Sequence, residues 1–473
     1  MKKNVWAKRN MIVFVTAVLM LALTACGGGN EPGNTGTGAS PGGSAAPKSD
    51  VTLTLWHWKV GFDPGLKAVA DAYKKKTGIT VETQVTTPDD AYTQKVTAAA
   101  TANNLPDIYL YWSGPTNGAF DGRAMEWSAE LDKDPAWKNS FYPSALSGTV
   151  IKQSQLDSYA KDKKASDWLK SRQIGQYYGI PIDVGSFYTI YGNAKLLQEA
   201  GVPLEAPPTV EQWLKDMDTV KAKTGVPGFV FSAKTFSVYE NWMANFQDYM
   251  KNGPEEFTKF MNRESKMSDP AHLQVAKFIE DISRSGNLLK GAVSLDIDPS
   301  DQAFAQGKAA YTLGGTFTLS SLTALGMKPE DIVSFRVPAY EGSKEPDAKL
   351  PSFPLVQAIV TDNGPHKQEA IDFVKYLTSE EGMTLYAAGA LDVPSVQLKN
   401  RDSLSPILQS MIGSIGSEAN WYADNADTYN KVFGAEWNKF HEMKQKIILG
   451  SATAEEAARE FDKAAEAEKA KEQ

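Results

Sequence analysis

Apolar and polar residues alternate in short stretches of this chain, and helical patterns separate these stretches. Residues 51–56 alternate as a half-buried strand does, and apolar positions at 79–85 and 107–112 predict two further strands. A helix is predicted over 90–103, and an earlier one ends near Gly78. The earlier helix carries apolar residues at helical spacing: Leu66, Val69, Ala70 and Tyr73. Strands that alternate with helices at short intervals are typical of a parallel sheet in an α/β protein.

Helical patterns dominate from the middle of the chain onward. Three of them begin with Thr followed three residues later by Gln or Glu, which is the signature of a capping box, at Thr209, Thr378 and Thr453. A buried strand over 355–360 is followed by another helical pattern. No internal repeat and no interior low-complexity linker interrupts the pattern. We therefore expect two lobes joined by several short crossings rather than separate domains in series.

The first 25 residues predict a secretory signal. Four basic residues precede an uncharged apolar run over 11–23, which as a helix reaches only about 20 Å and cannot cross the ~30 Å hydrocarbon core. The run closes with Leu23-Thr24-Ala25-Cys26, which resembles the lipobox of bacterial lipoproteins. The resemblance implies cleavage before Cys26 and acylation of its thiol, and more than one acyl chain gives stable membrane attachment. The alternative is an incidental cysteine at the end of a plain signal peptide.

Residues 26–50 consist of this cysteine and a Gly-rich stretch that contains no large apolar side chain. Such a segment cannot bury a core, so we expect a flexible tether. The net charge of the chain is −8, and it becomes more negative when the basic segment before Cys26 is removed. An acidic body repels phosphate backbones, and nucleic acid is therefore not an expected partner. A single cysteine also leaves no internal disulfide.

Motifs for catalysis or metal binding are missing from the sequence, and we expect no catalytic residue, metal or cofactor. The four histidines lack zinc-ligand spacing, and there is no Walker A loop. Residues 296–301 lack the glycine and the distal Glu of a calcium loop. Residues 38–42 match the G-x-S-x-G hydrolase elbow, but the tether supplies neither the strand nor the helix that this motif needs.

The sequence features described so far leave two kinds of function open. A cell-surface glycoside hydrolase is one, because its two carboxylates need not be close in sequence. A non-catalytic adhesion lipoprotein is the other.

Aromatic residues lie directly at the ends of two predicted strands. Ligands of open α/β sheets bind beyond the carboxyl ends of strands. Pyranose rings present C–H faces that stack on aromatic rings and hydroxyl groups that bind polar side chains. The eleven tryptophans of the chain suit such stacking, although a core position is the alternative for each. The candidate ligand contacts at these two strand ends are Trp56, His57, Trp58, Tyr111, Trp112 and Ser113.

Several segments together resemble the extracellular solute-binding proteins of ABC sugar importers, the family 1 group that is maltose-binding-protein-like. No single segment is diagnostic, but their order and spacing are specific, and they cover nearly the whole chain from residue 51 onward. The segments are Leu53–Trp58, Leu105–Trp112, Tyr178–Trp213, Phe304–Gly315, the helix over 366–388 and Val393–Ser395.

This resemblance implies an α/β fold of the two-lobed, type II periplasmic-binding-protein class, with the ligand cleft between the lobes. By segment, lobe 1 takes residues 51–182 and 355–392, and lobe 2 takes residues 183–354 and 393–473. Three crossings between the lobes are then expected, near Asp183, Pro354 and Pro394.

The resemblance also implies a function and further contacts. Trp112 is in register with a ligand-stacking tryptophan of the family. The implied protein is a monomeric, non-enzymatic receptor, held by its lipid on the outer face of the cytoplasmic membrane. It captures a sugar or oligosaccharide and delivers it to ABC permease subunits that work with a cytosolic ATPase. Further ligand contacts are implied at Asp183, Trp242, Gly315, Thr316, Phe317, Trp421 and Trp437.

Overall fold

The computed structural model describes residues 49–415 and 430–472, together with Tyr422 and Thr428. The predicted signal segment, the lipidation site at Cys26, most of the tether and Trp421 lie outside the described residues. Residues 46–473 form one compact unit. Within the described residues, no helix is both long enough and apolar enough to span a bilayer.

In the part of the chain that the structure describes, the strands form two sheets, one of five strands and one of four. Their order is β2-β1-β3-β9-β4 in the first sheet and β6-β7-β5-β8 in the second, when the strands are numbered along the chain. The strands are β1 (Thr52–His57), β2 (Thr80–Val85), β3 (Ile108–Trp112), β4 (Ile180–Pro181), β5 (Thr189–Asn193), β6 (Phe229–Val230), β7 (Tyr311–Gly314), β8 (Ile332–Arg336) and β9 (Val356–Val360).

Both sheets are mixed. In the first sheet β1 runs parallel to β2 and β3, as the alternation of strands and helices predicts. The prediction of a parallel sheet is wrong for β9, which is antiparallel to both β3 and β4. The chain reaches β9 by returning from the second sheet rather than through a helical crossover, so the usual right-handed parallel connection does not apply.

Helices cover the two sheets and contain many more of the described residues than the strands do. Helix α1 ends where Gly78 adopts the left-handed conformation, with φ of 82°, as predicted from its sequence position. The helices are α1 (Asp63–Thr77), α2 (Asp89–Thr101), α3 (Ser128–Lys133), α4 (Pro135–Ser140), α5 (Pro143–Ser147), α6 (Gln153–Lys161), α7 (Asp167–Lys170), α8 (Ala194–Ala200), α9 (Val210–Thr224), α10 (Asn245–Met261), α11 (Gln274–Arg284), α12 (Ile297–Ala305), α13 (Thr318–Ala324), α14 (Lys367–Leu377), α15 (Glu380–Ala390), α16 (Pro406–Ser414), α17 (Ala435–Ile448) and α18 (Ala454–Glu472).

The three predicted capping boxes have different outcomes. Before α18, the Thr453 hydroxyl accepts the backbone N–H of Glu456, and the Glu456 carboxylate accepts that of Thr453, so this box is confirmed. Thr209 caps α9 through its hydroxyl. The box at Thr378 is wrong, because Ser379 caps α15 instead. Thr378 is buried and accepts a hydrogen bond from the indole N–H of Trp137.

Two hydrophobic cores accompany the two sheets. The core that buries the apolar side chains between Val393 and Ile415 also includes residues of the second sheet, among them Tyr191 of β5 and Ile332 of β8. Ile415 itself pairs with Leu350. This segment therefore contacts both sheets, and the expected lobes, residues 51–182 with 355–392 and residues 183–354 with 393–473, stay a prediction.

Three segments lie side by side where the chain passes between the two sheets. The backbone of Asp183 pairs with Pro394, and that of Gly185 pairs with Phe353. Val184 donates its N–H to the carbonyl oxygen of Val393 at 3.0 Å. The segments expected to cross near Asp183, Pro354 and Pro394 are thus hydrogen-bonded to one another.

Candidate functional site

The strand ends that carry the candidate residues meet at one edge of each sheet. In the first sheet Trp112, at the end of β3, pairs with Val356, at the start of β9. In the second sheet Gly314, at the end of β7, pairs with Thr189, at the start of β5. The crossing segments leave β4 and enter β5 and β9 at these same edges, so the two edges lie next to the connection between the lobes.

Four aromatic side chains form a first aromatic group at the edge of the first sheet: Trp58, Tyr92, Tyr111 and Trp112. The ring centroids of Trp58 and Trp112 are 4.3 Å apart, and those of Trp58 and Tyr92 are 5.3 Å apart. The ring of Tyr111 is perpendicular to that of Trp112 at 5.1 Å. Trp58 is buried, whereas Tyr111 and Trp112 are half-buried and present part of their rings at the surface.

Phe187, Trp242, Phe317 and Phe353 form a second aromatic group at the edge of the second sheet. Trp242 stacks on Phe187, with ring centroids 4.8 Å apart and an angle of 1° between the rings. Phe317 meets Trp242 edge-on at 5.8 Å, and Phe353 lies 5.1 Å from Phe187. Phe187 and Phe353 lie on crossing segments. Phe317 follows β7, and Trp242 lies on the helical turn that precedes α10.

A contact links the segment that follows the first aromatic group to the second aromatic group. Lys59, which follows Trp58 in sequence, places its ammonium group 4.5 Å from the ring centroid of Phe317 in the second group. The next turn contacts α13, since a Cβ at Gly61 would lie 2.6 Å from Oγ of Ser320. The residues that follow β1 in the first sheet therefore touch the residues that follow β7 in the second.

Several buried polar atoms near the two groups have no hydrogen-bond partner among the described residues. They are Trp58 Nε1, Ser113 Oγ, Ser186 Oγ and Thr316 Oγ1. An unpaired buried donor or acceptor typically costs about 1–3 kcal/mol. Such groups beside aromatic rings suit a ligand that carries both apolar faces and hydroxyl groups.

The turn that carries Thr316 and Phe317 depends on a glycine. A Cβ at Gly315 would lie 2.3 Å from the ring of Phe317, so only glycine lets this ring fold back over the turn. The carbonyl oxygen of Gly315 accepts a hydrogen bond from the Tyr191 hydroxyl at 2.7 Å. Gly315, Thr316 and Phe317 thus lie together at the candidate site, with Thr316 buried beneath the surface.

A buried carboxyl group, Asp301, lies on α12 in the neighbourhood of Lys59. Burial raises the pKa of Asp301 to about 7, and the positive charge of Lys59 works in the opposite direction. Its Oδ2 atom has no hydrogen-bond partner within the described part of the chain. Among the described residues no three His, Cys, Asp or Glu side chains come together as a metal site.

Asp183 is placed differently from the expectation of a ligand contact. Its side chain is fully buried, and Oδ1 accepts the backbone N–H groups of Leu355 and Val356 at 3.0 and 2.8 Å. Through Oδ1 the carboxyl group ties two crossing segments together, whereas Oδ2 has no hydrogen-bond partner within the described residues. The structure gives Asp183 a structural role, and its role as a ligand contact stays a prediction.

His57 is also internal. Its ring is fully buried, with Nδ1 at 3.1 Å from the carbonyl oxygen of Lys59 and Nε2 at 3.4 Å from the carboxylate of Asp63. Burial lowers the pKa of His57, although the charge of Asp63 opposes this. Its contacts join the end of β1 to α1, which is a structural role.

The remaining tryptophans have separate positions. Trp56 lies under the ammonium group of Lys95, which is 3.8 Å from its ring centroid, rather than against the first aromatic group. Trp437 is 1% exposed and packs between Phe260 and Phe461 in the second core, so it is not available to a ligand. Trp421 lies outside the described residues.

Sequence reasoning missed five residues of the candidate site: Lys59, Tyr92, Ser186, Phe187 and Phe353. Lys59 directly follows the predicted aromatic pair, and Phe187 and Phe353 lie in predicted crossings, so position in sequence was a usable signal for them. Tyr92 lies on a helix, and its hydroxyl reaches the carbonyl oxygens of Trp56 and Leu110 at 3.0 and 2.6 Å. Nothing in the local pattern distinguishes it from a core residue.

Solved structures share this fold at low sequence identity. The first is a protein studied for xylan utilization by the thermophilic bacterium Caldanaerobius polysaccharolyticus, with TM-score 0.63, 21% identity and coverage of 87% of this chain and 99% of that one. Maltose-bound MalE3 of T. maritima gives TM-score 0.60 and 14% identity, covering 88% and 99% of the two chains. The GacH receptor of Streptomyces glaucescens GLA.O gives TM-score 0.59 and 17% identity, covering 88% and 98%.

Sequence comparison gives a family as well. No curated protein matches the chain significantly. The profile of the family described as bacterial extracellular solute-binding protein matches residues 60–384, which is more than half of the chain. With this match, and with the two-lobed α/β fold that the structural neighbours share, the chain belongs to the family of bacterial extracellular solute-binding proteins.

Proposed function

We propose that this protein is an extracellular receptor that binds a sugar or oligosaccharide between its two lobes and delivers it to an ABC transporter. Membership of the solute-binding family supports the binding role. Two of the structural neighbours are described with sugars, MalE3 with maltose and the GacH receptor with acarbose. Attachment to the outer face of the membrane through a lipid on Cys26 is part of the same proposal and rests on the lipobox-like segment.

The chemistry of the two aromatic groups fits a pyranose ring. Trp112 and Tyr111 offer half-buried rings on which the C–H face of a sugar can stack. The hydroxyl groups of Ser113 and Thr316 and the indole N–H of Trp58 are buried without a protein partner in the described residues, and sugar hydroxyls can pair with them. A ligand with both kinds of surface meets both needs at once.

One contact carries the proposal: the ammonium group of Lys59 lies 4.5 Å from the ring of Phe317. Lys59 follows the first aromatic group, and Phe317 belongs to the second. A ligand bound between them touches both lobes only when the lobes are close together. The extra contacts of the closed form then supply the free energy of closure. Moving the equilibrium from 1:99 to 99:1 requires about 5.5 kcal/mol of differential affinity.

A panel of oligosaccharides tested by intrinsic tryptophan fluorescence and isothermal titration calorimetry examines the proposal. A receptor should show saturable, reversible binding and leave the sugar unchanged. Release of shorter sugars, detected by mass spectrometry of the incubation mixture, would instead support a glycoside hydrolase. No response to any sugar would support the adhesion hypothesis.

Trp112→Ala locates the site on the protein. We expect this variant to weaken sugar binding by at least tenfold, which corresponds to about 1.4 kcal/mol. Trp137→Ala is the matched control, because Trp137 is a tryptophan of the first core that hydrogen-bonds to Thr378 and belongs to neither aromatic group. Both variants lose packing, but only Trp112→Ala should change the dissociation constant. Equal affinities for the two variants would return Trp112 to a core role.

Cys26→Ala tests the anchoring. Without the thiol no diacylglycerol can be attached, so the variant should appear in the medium instead of the membrane fraction. Metabolic labelling with an alkyne fatty acid should mark the wild-type chain and leave the variant unlabelled. Equal membrane recovery of both proteins would contradict lipid attachment at this residue.

A further inference from the structure

The turn that carries Trp242 is a π-helix, Glu240–Ala244, which runs directly into α10. A π-helical turn is rare, and it is less favourable than the α-helix that the following residues form. Such turns need support from the surrounding structure. In this turn Trp242 faces Phe187, while Glu240 faces α17 near the C-terminus.

Glu240 forms a buried ion pair with Lys444 of α17. Both side chains are fully buried, and Lys444 Nζ lies 2.7 Å from Glu240 Oε1. His441, on the same helix, places Nδ1 at 3.2 Å from the same oxygen. The ammonium group of Lys444 also lies 5.9 Å from the ring centroid of Phe231 and 5.8 Å from that of Tyr239. Within the described residues, the charged or ionisable partners of Glu240 are therefore Lys444 and His441, both on α17.

A buried ion pair is a weak source of net stability. Removing two charges from water costs about as much as their attraction returns, and apolar residues of the same size often do as well or better. A buried pair does, however, restrict the positions of the two segments that carry it, because separating the charges would leave each one buried without a partner. Here the fixed geometry is that of the π-helical turn relative to α17.

We propose that Glu240 and Lys444 are positioning residues for Trp242: their ion pair holds the π-helical turn so that the indole ring lies parallel to Phe187 at the ligand site. This inference rests on the proposed sugar-binding function for its effect on affinity. Its structural half, the orientation of Trp242, can be measured without any ligand. Helix α17 thus acts on the site through Glu240, which shares the π-helical turn with Trp242 but contacts different residues.

The experiment uses the mature chain labelled with 5-fluorotryptophan, with the ¹⁹F resonance of Trp242 assigned through Trp242→Phe. The test variant is the double substitution Glu240→Gln with Lys444→Met, which removes both charges together and leaves no unpaired buried charge behind. We expect the Trp242 resonance to shift and broaden, while the other tryptophan resonances keep their positions. We also expect the dissociation constant for the best sugar of the panel to rise at least tenfold.

The matched control is a second pair between α17 and the rest of lobe 2, Arg263 and Glu436, with Nε at 2.9 Å from Oε1. Arg263→Met with Glu436→Gln loosens the same helix without touching the π-helical turn. This control should leave the Trp242 resonance and the affinity unchanged. An unmoved Trp242 resonance in the test variant, or an equal shift in the control, would overturn the positioning role. If the wild-type protein binds no sugar, the proposed function fails, while the ¹⁹F comparison still decides this inference.

Discussion

The free energy of unfolding should fall as pH rises because of two buried carboxyl groups at the crossings, Asp183 and Asp392. Asp392 lies at the start of the third crossing segment, and its Oδ2 accepts a hydrogen bond from the Tyr386 hydroxyl at 3.0 Å. The two carboxyl groups interact electrostatically, since the charge of Asp392 raises the pKa of Asp183. Two neighbouring buried carboxyl groups disfavour double ionisation, so the folded pair keeps a proton above the pH at which an exposed carboxyl group loses it.

The direction of the pH dependence follows from where that proton is lost. Burial raises the pKa of Asp183 well above its ordinary value, and the neighbouring charge of Asp392 raises it further. Burial also raises the pKa of Asp392, from 3.8 to about 6. The folded protein therefore keeps a proton that the unfolded chain has released above pH 4. Stability that is present in full below pH 4 is lost as pH rises through 6.

Asp392→Asn is the informative substitution. The amide of Asn has nearly the same shape as the carboxyl group but does not titrate, so the variant has no proton to lose at this position. For Asp392 alone, a rise in pKa from 3.8 to about 6 corresponds to about 3 kcal/mol of unfolding free energy. The difference in unfolding free energy between the variant and wild type should therefore rise by about that amount, in favour of the variant, from pH 4 to pH 7. Urea unfolding followed by circular dichroism at pH 4, 5, 6 and 7 measures the difference.

Tyr386→Phe provides the control for this experiment. It removes a hydrogen bond to Asp392 but keeps both carboxyl groups. Its stability should be lower than that of wild type, and the slope against pH should be at least as steep. An equal difference in unfolding free energy between Asp392→Asn and wild type at every pH would contradict a titration of this pair in the folded protein.

Three further substitutions test separate parts of the structure. Gly315→Ala should weaken sugar binding about tenfold by displacing Phe317, measured by calorimetry against Gly413→Ala, where no atom of the described residues lies within 4 Å of the new Cβ. Asp301→Asn should raise the unfolding free energy by up to about 4 kcal/mol at pH 8 and little at pH 4, because burial raises the pKa of Asp301 to about 7. Thr453→Ala should cost about 1 kcal/mol in urea unfolding through loss of the cap of α18. Equal affinities of the two glycine variants, a pH-independent effect of Asp301→Asn, or an unchanged midpoint for Thr453→Ala would contradict these expectations.

The sequence by itself determined the elements whose signals are local. The alternation in β1, the helical spacing before Gly78 and the box at Thr453 depend only on residues within one or two turns, and each has the predicted structure. The aromatic residues at the ends of β1 and β3 were also located from sequence, because a strand end fixes where the neighbouring side chains lie. The resemblance to solute-binding proteins added the second lobe and the segment around Phe317.

Only the tertiary structure decided how these pieces are used. Asp183 looks like a ligand-binding carboxylate in sequence, but its partners are backbone N–H groups about 170 residues away, so its role depends on a contact that no local pattern records. Thr378 looks like a helix cap in sequence, but its hydroxyl accepts the indole N–H of Trp137, and Ser379 caps the helix instead. Trp437 and Trp242 both lie on helices, and only their neighbours distinguish them. Trp437 packs against Phe260 in the core, whereas Trp242 stacks on Phe187 at the candidate site. Local propensity acts over a few residues, whereas burial and charge pairing are set by the neighbours that the whole fold brings together.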